Sequence, residues 1–298
     1  MESGELASGR PLVQLLTMQP TELGFVEVQA IIHDSNGQPV TYFSFSFLGQ
    51  GNHCKAYKGY FDGEEAAFKI FNEEAAEDME NECDVLHQLQ AAQARSRDQT
   101  TPSCCIVTSV GKKFETRPKA CELQLLLGVL KAAHKAGFVH RDPLPRNYLR
   151  VPGGTVLFND WGSAENIRKG NPVMPVGWPA EQAEEMIPQT AVDCSACIVC
   201  GRLCSNHRQQ PVVPQFRHDL EMFAKSIFLK LVYIASKAEQ SFGIWSDHPD
   251  ALAWQPVLAA ARELPDFQAH QHDPEIFVEG YEAIYKKFEE TLLQHYKS

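Results

Sequence analysis

The chain has 298 residues, 44% of them hydrophobic and 22% charged, the make-up of a globular protein with room for two domains or one bilobal one. Its formal net charge of −11 argues against a nucleic-acid partner bound by broad phosphate neutralisation. No apolar run reaches the roughly 18 residues that cross a bilayer, and "MESGELASGR" lacks the layout of a signal peptide, so an intracellular protein, cytoplasmic or nuclear, with no membrane partner is expected.

Residues 1–23 carry no strong signal. "FVEVQAIIHD" and "TYFSFSFLG" flank the turn signal Asn36-Gly37 and predict a hairpin, with Phe43, Phe45 and Phe47 alternating against Ser44 and Ser46. "KAYKGYF" and "EEAAFKIF", separated by Asp62-Gly63, predict a second hairpin. Residues 73–92 are rich in Glu, Ala, Leu and Gln and lack Gly and Pro, which predicts a helix. "CCIVTSVGKKF" reads as a strand pair. Residues 119–136 read as a mostly buried helix stopped by Gly137, and "TVLFND" as a short strand after Gly153-Gly154. Residues 165–215 look irregular. Helices are predicted over 217–238, 249–263 and 274–296. Strands with one helix, then nearly all helix, imply a small β-rich lobe followed by a larger α-rich one.

Four stretches carry candidate chemistry. In "LGQGNHCKAYKG", Gly49 and Gly51 follow one predicted strand and precede another, where backbone N–H groups can approach phosphate oxygens because no Cβ intervenes. By itself this is as consistent with a tight hairpin. In "AAFKIF", Lys69 lies on a strand from which an ammonium can reach the phosphates of a nucleotide. Its partner should be a helical acid, Glu82 or alternatively Glu77. In "HRDPLPRN", Asp142 is a carboxylate placed to accept a hydroxyl proton, and Asn147 offers an amide oxygen to a cation. In "LFNDWGSA", Asp160 ends an apolar strand and precedes Trp161-Gly162.

In that order, these pieces match G-x-G, the strand Lys, H-R-D-x4-N and a variant of D-F-G. From about residue 41 to the C-terminal helices the sequence resembles the eukaryotic protein-kinase superfamily. The resemblance implies an α+β, bilobal protein-kinase-like fold. Residues 1–40 would be an N-terminal extension with an extra strand, 41–116 the N-lobe, and 117–298 the C-lobe with a Cys-rich insertion at about 186–215. It implies ATP and Mg²⁺ as cofactors and phosphoryl transfer to protein hydroxyls, Ser/Thr or alternatively Tyr. Lys69 and Glu82 would position phosphates, with Gly49 and Gly51 in the nucleotide loop. Asp142 would be the base, and Asn147 and Asp160 the Mg²⁺ ligands. Asp219 in "QFRHDLEMFAKSIF" stands where the family has a buried Asp beneath the catalytic loop. Leu144 occupies the place where many kinases have Lys, and Arg146 supplies a cation two residues later, as in the tyrosine-kinase loop. Arg141 could pair with a phosphate on Ser163, Thr190, Ser195 or Ser205.

There are departures. Cys54 replaces the third glycine, the span before residue 119 is too short for the usual hinge-following helix, and A-P-E has no match. A pseudokinase scaffold and a small-molecule kinase on the same fold are the alternative readings. Within the superfamily, "HRDPLPRN" with "DWGSA" is similar to divergent kinase-like domains of fungi and oomycetes, including those of Crinkler effectors. An effector of that kind would act in a host cell.

"DCSACIVCGRLCSNH" brings Cys194, Cys197, Cys200, Cys204 and His207 close together. Zn²⁺ favours such sulfur and nitrogen ligands, and one structural zinc is the leading expectation. Free or disulfide-forming thiols and an iron–sulfur cluster are the alternatives.

Overall fold

Alternation of apolar and polar residues marks the strands between residues 26 and 71. The structure, a computed structural model, describes residues 26–33, 39–51, 53–61, 64–91, 99–101, 105–114, 117–174, 211–235 and 251–297. The zinc candidates Cys194, Cys197, Cys200, Cys204 and His207 lie outside them.

The chain divides into two compact units, residues 1–83 with 96–110, and residues 84–95 with 111–298. In the first, β1 (Val26–His33), β2 (Pro39–Gln50), β3 (Cys54–Phe61) and β4 (Glu64–Phe71) form an antiparallel meander. A 3₁₀ turn at Glu73–Ala75 leads into α1 (Ala76–Ala91), which continues into the second unit. Then β5 (Gln99–Thr101) and β6 (Cys105–Ser109) complete a six-stranded sheet of order β1-β2-β3-β4-β6-β5. Phe68 and Phe71 are buried, as is one stripe of α1: Met79, Glu82, Cys83, Leu86 and Leu89. That spacing is the helical period the sequence displays.

The second unit is mostly helical. The strand pair expected over "CCIVTSVGKKF" is divided between sheets: β6 joins the six-stranded sheet, whereas β7 (Lys112–Lys113) pairs with a later strand, Lys112 opposite Arg150. Gly111 permits this: a Cβ there would meet the Leu149 side chain at 2.7 Å, so glycine lets the chain run close to that later strand. Next comes α2 (Ala120–Lys135), opened by the Glu122 carboxylate accepting from the Lys119 N–H at 2.6 Å. It ends at Gly137, whose φ of 91° is one that L side chains rarely adopt. Short strands β8 (Phe138–Val139), β9 (Tyr148–Arg150), β10 (Val156–Phe158) and β11 (Glu165–Asn166) follow. They form the sheets β10-β9-β7 and β11-β8.

Helix α3 (Phe216–Ala235) packs on α4 (Ala251–Arg262), while α2 packs on α5 (Pro274–Gly280) and α6 (Glu282–Lys297). The single helix expected over 274–296 is thus two. Gly280 and Tyr281 break it, and the Tyr281 N–H turns back onto the carbonyls of Phe277 and Val278. The core of this unit holds Leu123, Leu126 and Leu130 of α2, Phe216, Leu220, Phe223 and Ile227 of α3, Val257 and Leu258 of α4, and Phe288 and Leu292 of α6. The architecture is α+β, β-rich first and helix-rich after. Among the described residues no helix is long and apolar enough to cross a membrane.

Candidate active site

In the first unit, Lys69 sits on β4, opposite Ala56 of β3 and Ile106 of β6. Its ammonium lies 2.6 Å from both carboxylate oxygens of Glu82 on α1, and both residues are buried. Glu77 is exposed. In an ion pair this dry each charge has lost water, so close mutual geometry has to offset the desolvation. Gly49 pairs with Ala56, and the Gly51 N–H donates to the Cys54 carbonyl at 2.9 Å. Neither glycine has a positive φ. A Cβ on Gly49 would meet nothing within 4 Å among the described residues, and one on Gly51 only Cys54 atoms at 3.9 and 4.0 Å. Backbone strain and close packing among the described residues therefore do not explain these glycines.

In the second unit, the loop between β8 and β9 gathers the other candidates. Arg146 donates to Asp142 Oδ1 at 2.6 Å. The Asn147 amide nitrogen donates both to Asp142 Oδ2 at 2.7 Å and to the Asp142 carbonyl at 2.9 Å. With its NH₂ group so committed, Asn147 keeps Oδ1 as its side-chain acceptor. Leu144 is fully buried, so the position where many kinases carry Lys faces the core here. Arg146, by contrast, is exposed.

Beneath this loop is Asp219, in the first turn of α3 and fully buried. It accepts the backbone hydrogens of His140 at 2.6 Å and Arg141 at 2.8 Å. The ring of His134 on α2 puts Nε2 3.1 Å from the same carboxylate and Nδ1 2.9 Å from the Tyr285 hydroxyl of α6. Burial by itself would raise the Asp219 carboxyl. The His134 hydrogen bond and charge, the His140 charge and the His140 N–H outweigh it, and hold the group below the usual Asp value. Burial, with the negative charges of Asp219 and Glu282, pushes the Tyr285 hydroxyl well above the usual range.

Arg141 and Asp160 are the two described non-glycine residues with positive φ, 66° and 65°. Backbone held in that region persists where the surroundings over-determine it, and it clusters at functional sites. The Arg141 guanidinium donates to the Ser163 carbonyl at 2.8 Å and to the Met174 carbonyl. It is thus Ser163's carbonyl that meets Arg141. Thr190, Ser195 and Ser205 lie outside the described residues.

Asp160 follows β10 with its side chain exposed. Trp161 is buried, its ring 4.4 Å from His140 and its Nε1–H donating to the Phe158 carbonyl at 3.2 Å. The Asn159 N–H donates to the Asn147 carbonyl at 2.8 Å, which ties the strand before Asp160 to the loop. Among the described residues no three His, Cys, Asp or Glu side chains are grouped to hold a metal. Magnesium does not need such a group: it takes one or two protein oxygens and completes its shell with water and substrate phosphates. The oxygens of Asn147 and Asp160 suit it chemically.

His134, Tyr285 and Tyr148 take part in the loop's support and carry no motif by which sequence could flag them. No family model matches this chain, and no curated protein matches it. In shape it is similar to the solved ROP18 kinase domain in complex with AMP-PNP and sucrose. The identity is 14% and the TM-score 0.49, over 98% of this chain and 92% of that one. It is also similar to the Mycobacterium tuberculosis PknI kinase domain, at 16% identity and a TM-score of 0.44, over 87% of this chain and 100% of that one. Both neighbours are protein kinase domains. A likeness this slight carries no functional weight, and what the site can do rests on its own side chains.

Proposed function

We propose that this chain is an ATP- and Mg²⁺-dependent kinase that transfers phosphate to protein hydroxyls, Ser/Thr or alternatively Tyr. The supporting observation is Asp142, whose two carboxylate oxygens are oriented by Arg146 and Asn147 on a loop pinned from beneath by Asp219. When bound, Mg-ATP supplies the phosphoryl group and neutralises charge that builds on it.

The rest falls to the chain. Lys69, oriented by Glu82, offers its ammonium to phosphate oxygens, and the Gly49–Gly51 backbone lets them come close. Asp142 accepts the hydroxyl proton and aims the attacking oxygen. Each carboxylate oxygen has two lone pairs, so the bonds to Arg146 and Asn147 leave capacity for a third donor. Arg146 is an exposed cation beside the base and stabilises charge as the phosphoryl moves. Asn147 Oδ1 and Asp160 would hold Mg²⁺. The narrower assignment, to divergent fungal and oomycete kinase-like domains such as those of Crinkler effectors, rests on "HRDPLPRN" and "DWGSA" alone. A zinc ion on the Cys194–His207 cluster is likewise a proposal from sequence.

Labelled phosphate from ATP, followed into the protein itself and into a mixed peptide library with phosphosites read by mass spectrometry, tests the reading. Incorporation by the wild type that is lost in Asp142→Asn supports it. No incorporation with Mg²⁺ present, in protein that is folded, refutes it and leaves a scaffold.

A further inference from the structure

Two prolines strip the loop after Asp142 of backbone donors, because Pro143 and Pro145 have no N–H. The loop closes on itself with what remains: the Leu144 N–H donates to the Asp142 carbonyl and the Asn147 N–H to the Leu144 carbonyl, each at 2.8 Å. Pro143 is buried, and its carbonyl lies between these two bonds. A buried carbonyl needs a partner. It accepts from the Tyr148 hydroxyl at 2.9 Å.

The Tyr148 side chain cannot wander. It is fully buried, with Phe158 edge-on at 5.2 Å and 89°, Phe114 edge-on at 5.9 Å and 85°, and Phe223 of α3 at 5.8 Å. A second polar contact exists, to Ser226 Oγ at 3.5 Å. Ser226, however, donates its hydrogen to the Phe223 carbonyl at 2.8 Å. Both hydroxyl hydrogens are therefore committed to shorter bonds, and the 3.5 Å contact is the weak one.

We propose that Tyr148 is a positioning residue for phosphoryl transfer. Its hydroxyl, fixed by the aromatic cluster, holds the Pro143 carbonyl and so sets where the adjoining Asp142 carboxylate sits. The proposal rests on the kinase reading above. Near the reacting atoms a displacement of about 1 Å can cost roughly a hundredfold in rate, so one hydrogen bond at this point matters more to turnover than to binding.

The test compares wild type, Tyr148→Phe and Ser226→Ala, each first shown folded by near-ultraviolet circular dichroism. Tyr148→Phe keeps the ring and loses only the hydroxyl. Its kcat is expected to fall roughly 10- to 100-fold, with KM for ATP and peptide within about twofold, while Ser226→Ala stays near wild type. Amide hydrogen exchange at Leu144 and Asn147 should quicken in Tyr148→Phe and stay unchanged in α2 and α3. Wild-type kcat in Tyr148→Phe, or an equal loss in Ser226→Ala, overturns the proposal. If the wild type transfers no phosphate at all, the kinase reading falls by itself. The exchange data then decide: faster exchange upholds Tyr148's hold on the loop, and unchanged exchange overturns it.

Discussion

The Asp219 carboxylate accepts the backbone hydrogen of Arg141 at 2.8 Å while Arg141 sits at a φ of 66°. The bond fixes a conformation that a non-glycine residue otherwise avoids at a cost of about 1–3 kcal/mol. Because Asp142 follows at once, the direction in which it leaves the core is set by Asp219.

The same carboxylate makes the fold sensitive to acid. Its folded pKa lies below the unfolded value of about 3.9. A depressed carboxylate contributes stability above that unfolded value, and the contribution is lost as pH falls through the folded pKa. Asp219→Asn is expected to cost about 3–5 kcal/mol at pH 7, because Asn turns an NH₂ toward donors that need an acceptor. Urea unfolding of both proteins from neutral pH downward should show the gap narrowing below about pH 4. A gap that stays constant would mean that the charge on Asp219 is not its source.

Lys69→Met should abolish phosphoryl transfer and also weaken the fold. It takes the Lys69 ammonium from the Glu82 carboxyl in a site that is 2% exposed, a loss of about 3–5 kcal/mol. Replacing both, Lys69→Met with Glu82→Met, should recover much of that stability and none of the activity. Urea midpoints and phosphate incorporation read the two effects separately. A double variant no more stable than Lys69→Met would show that the pair is not the dominant partner of either charge.

Much of this was legible in the sequence, and the reasons for the rest are physical. Long periodic stretches such as 73–92 and 119–136 become α1 and α2 because an apolar stripe needs a core whatever the topology. The polar motif residues were legible as groups because their types stand at fixed spacings, and the structure brings Lys69 to Glu82 and Asp142 to Arg146 and Asn147. Direction was not legible. Leu144 reads as a catalytic cation gone missing, yet its side chain is buried, and the side to which a loop residue turns is set by the packing around it. Strands β8, β9 and β11 have two or three residues each, too few for a period of two to declare itself. Tyr148 and His134 look like ordinary core aromatics, and only the carbonyl and carboxylate they reach distinguish them.

Trp161 is more than a larger Phe. Its Nε1–H satisfies the Phe158 carbonyl, and its ring lies against His140. Trp161→Phe restores the common D-F-G spelling but is expected to lower stability by about 1–3 kcal/mol, since it leaves that carbonyl unpaired. Phosphoryl transfer should persist, because Asp160 is untouched. Denaturant unfolding and initial rates check both halves. Unchanged stability would mean that the 3.2 Å bond adds nothing.

Arg146 and Leu144 give the last expectation. Arg146 is 45% exposed and 2.6 Å from Asp142 Oδ1, so its loss should cost the fold little, well under 1 kcal/mol for an exposed pair. If the cation acts as charge moves, Arg146→Ala lowers kcat more than it raises KM for ATP. Putting Lys at position 144 should not restore what is lost. The side chain there has no exposed surface, so Leu144→Lys sets an ammonium among apolar groups, and the protein unfolds locally or loses several kcal/mol. Steady-state kinetics of Arg146→Ala, and of Arg146→Ala with Leu144→Lys, give the answer. A kcat unchanged in the first would show that Arg146 only shields Asp142. A rescue in the second would show that position 144 can turn outward after all.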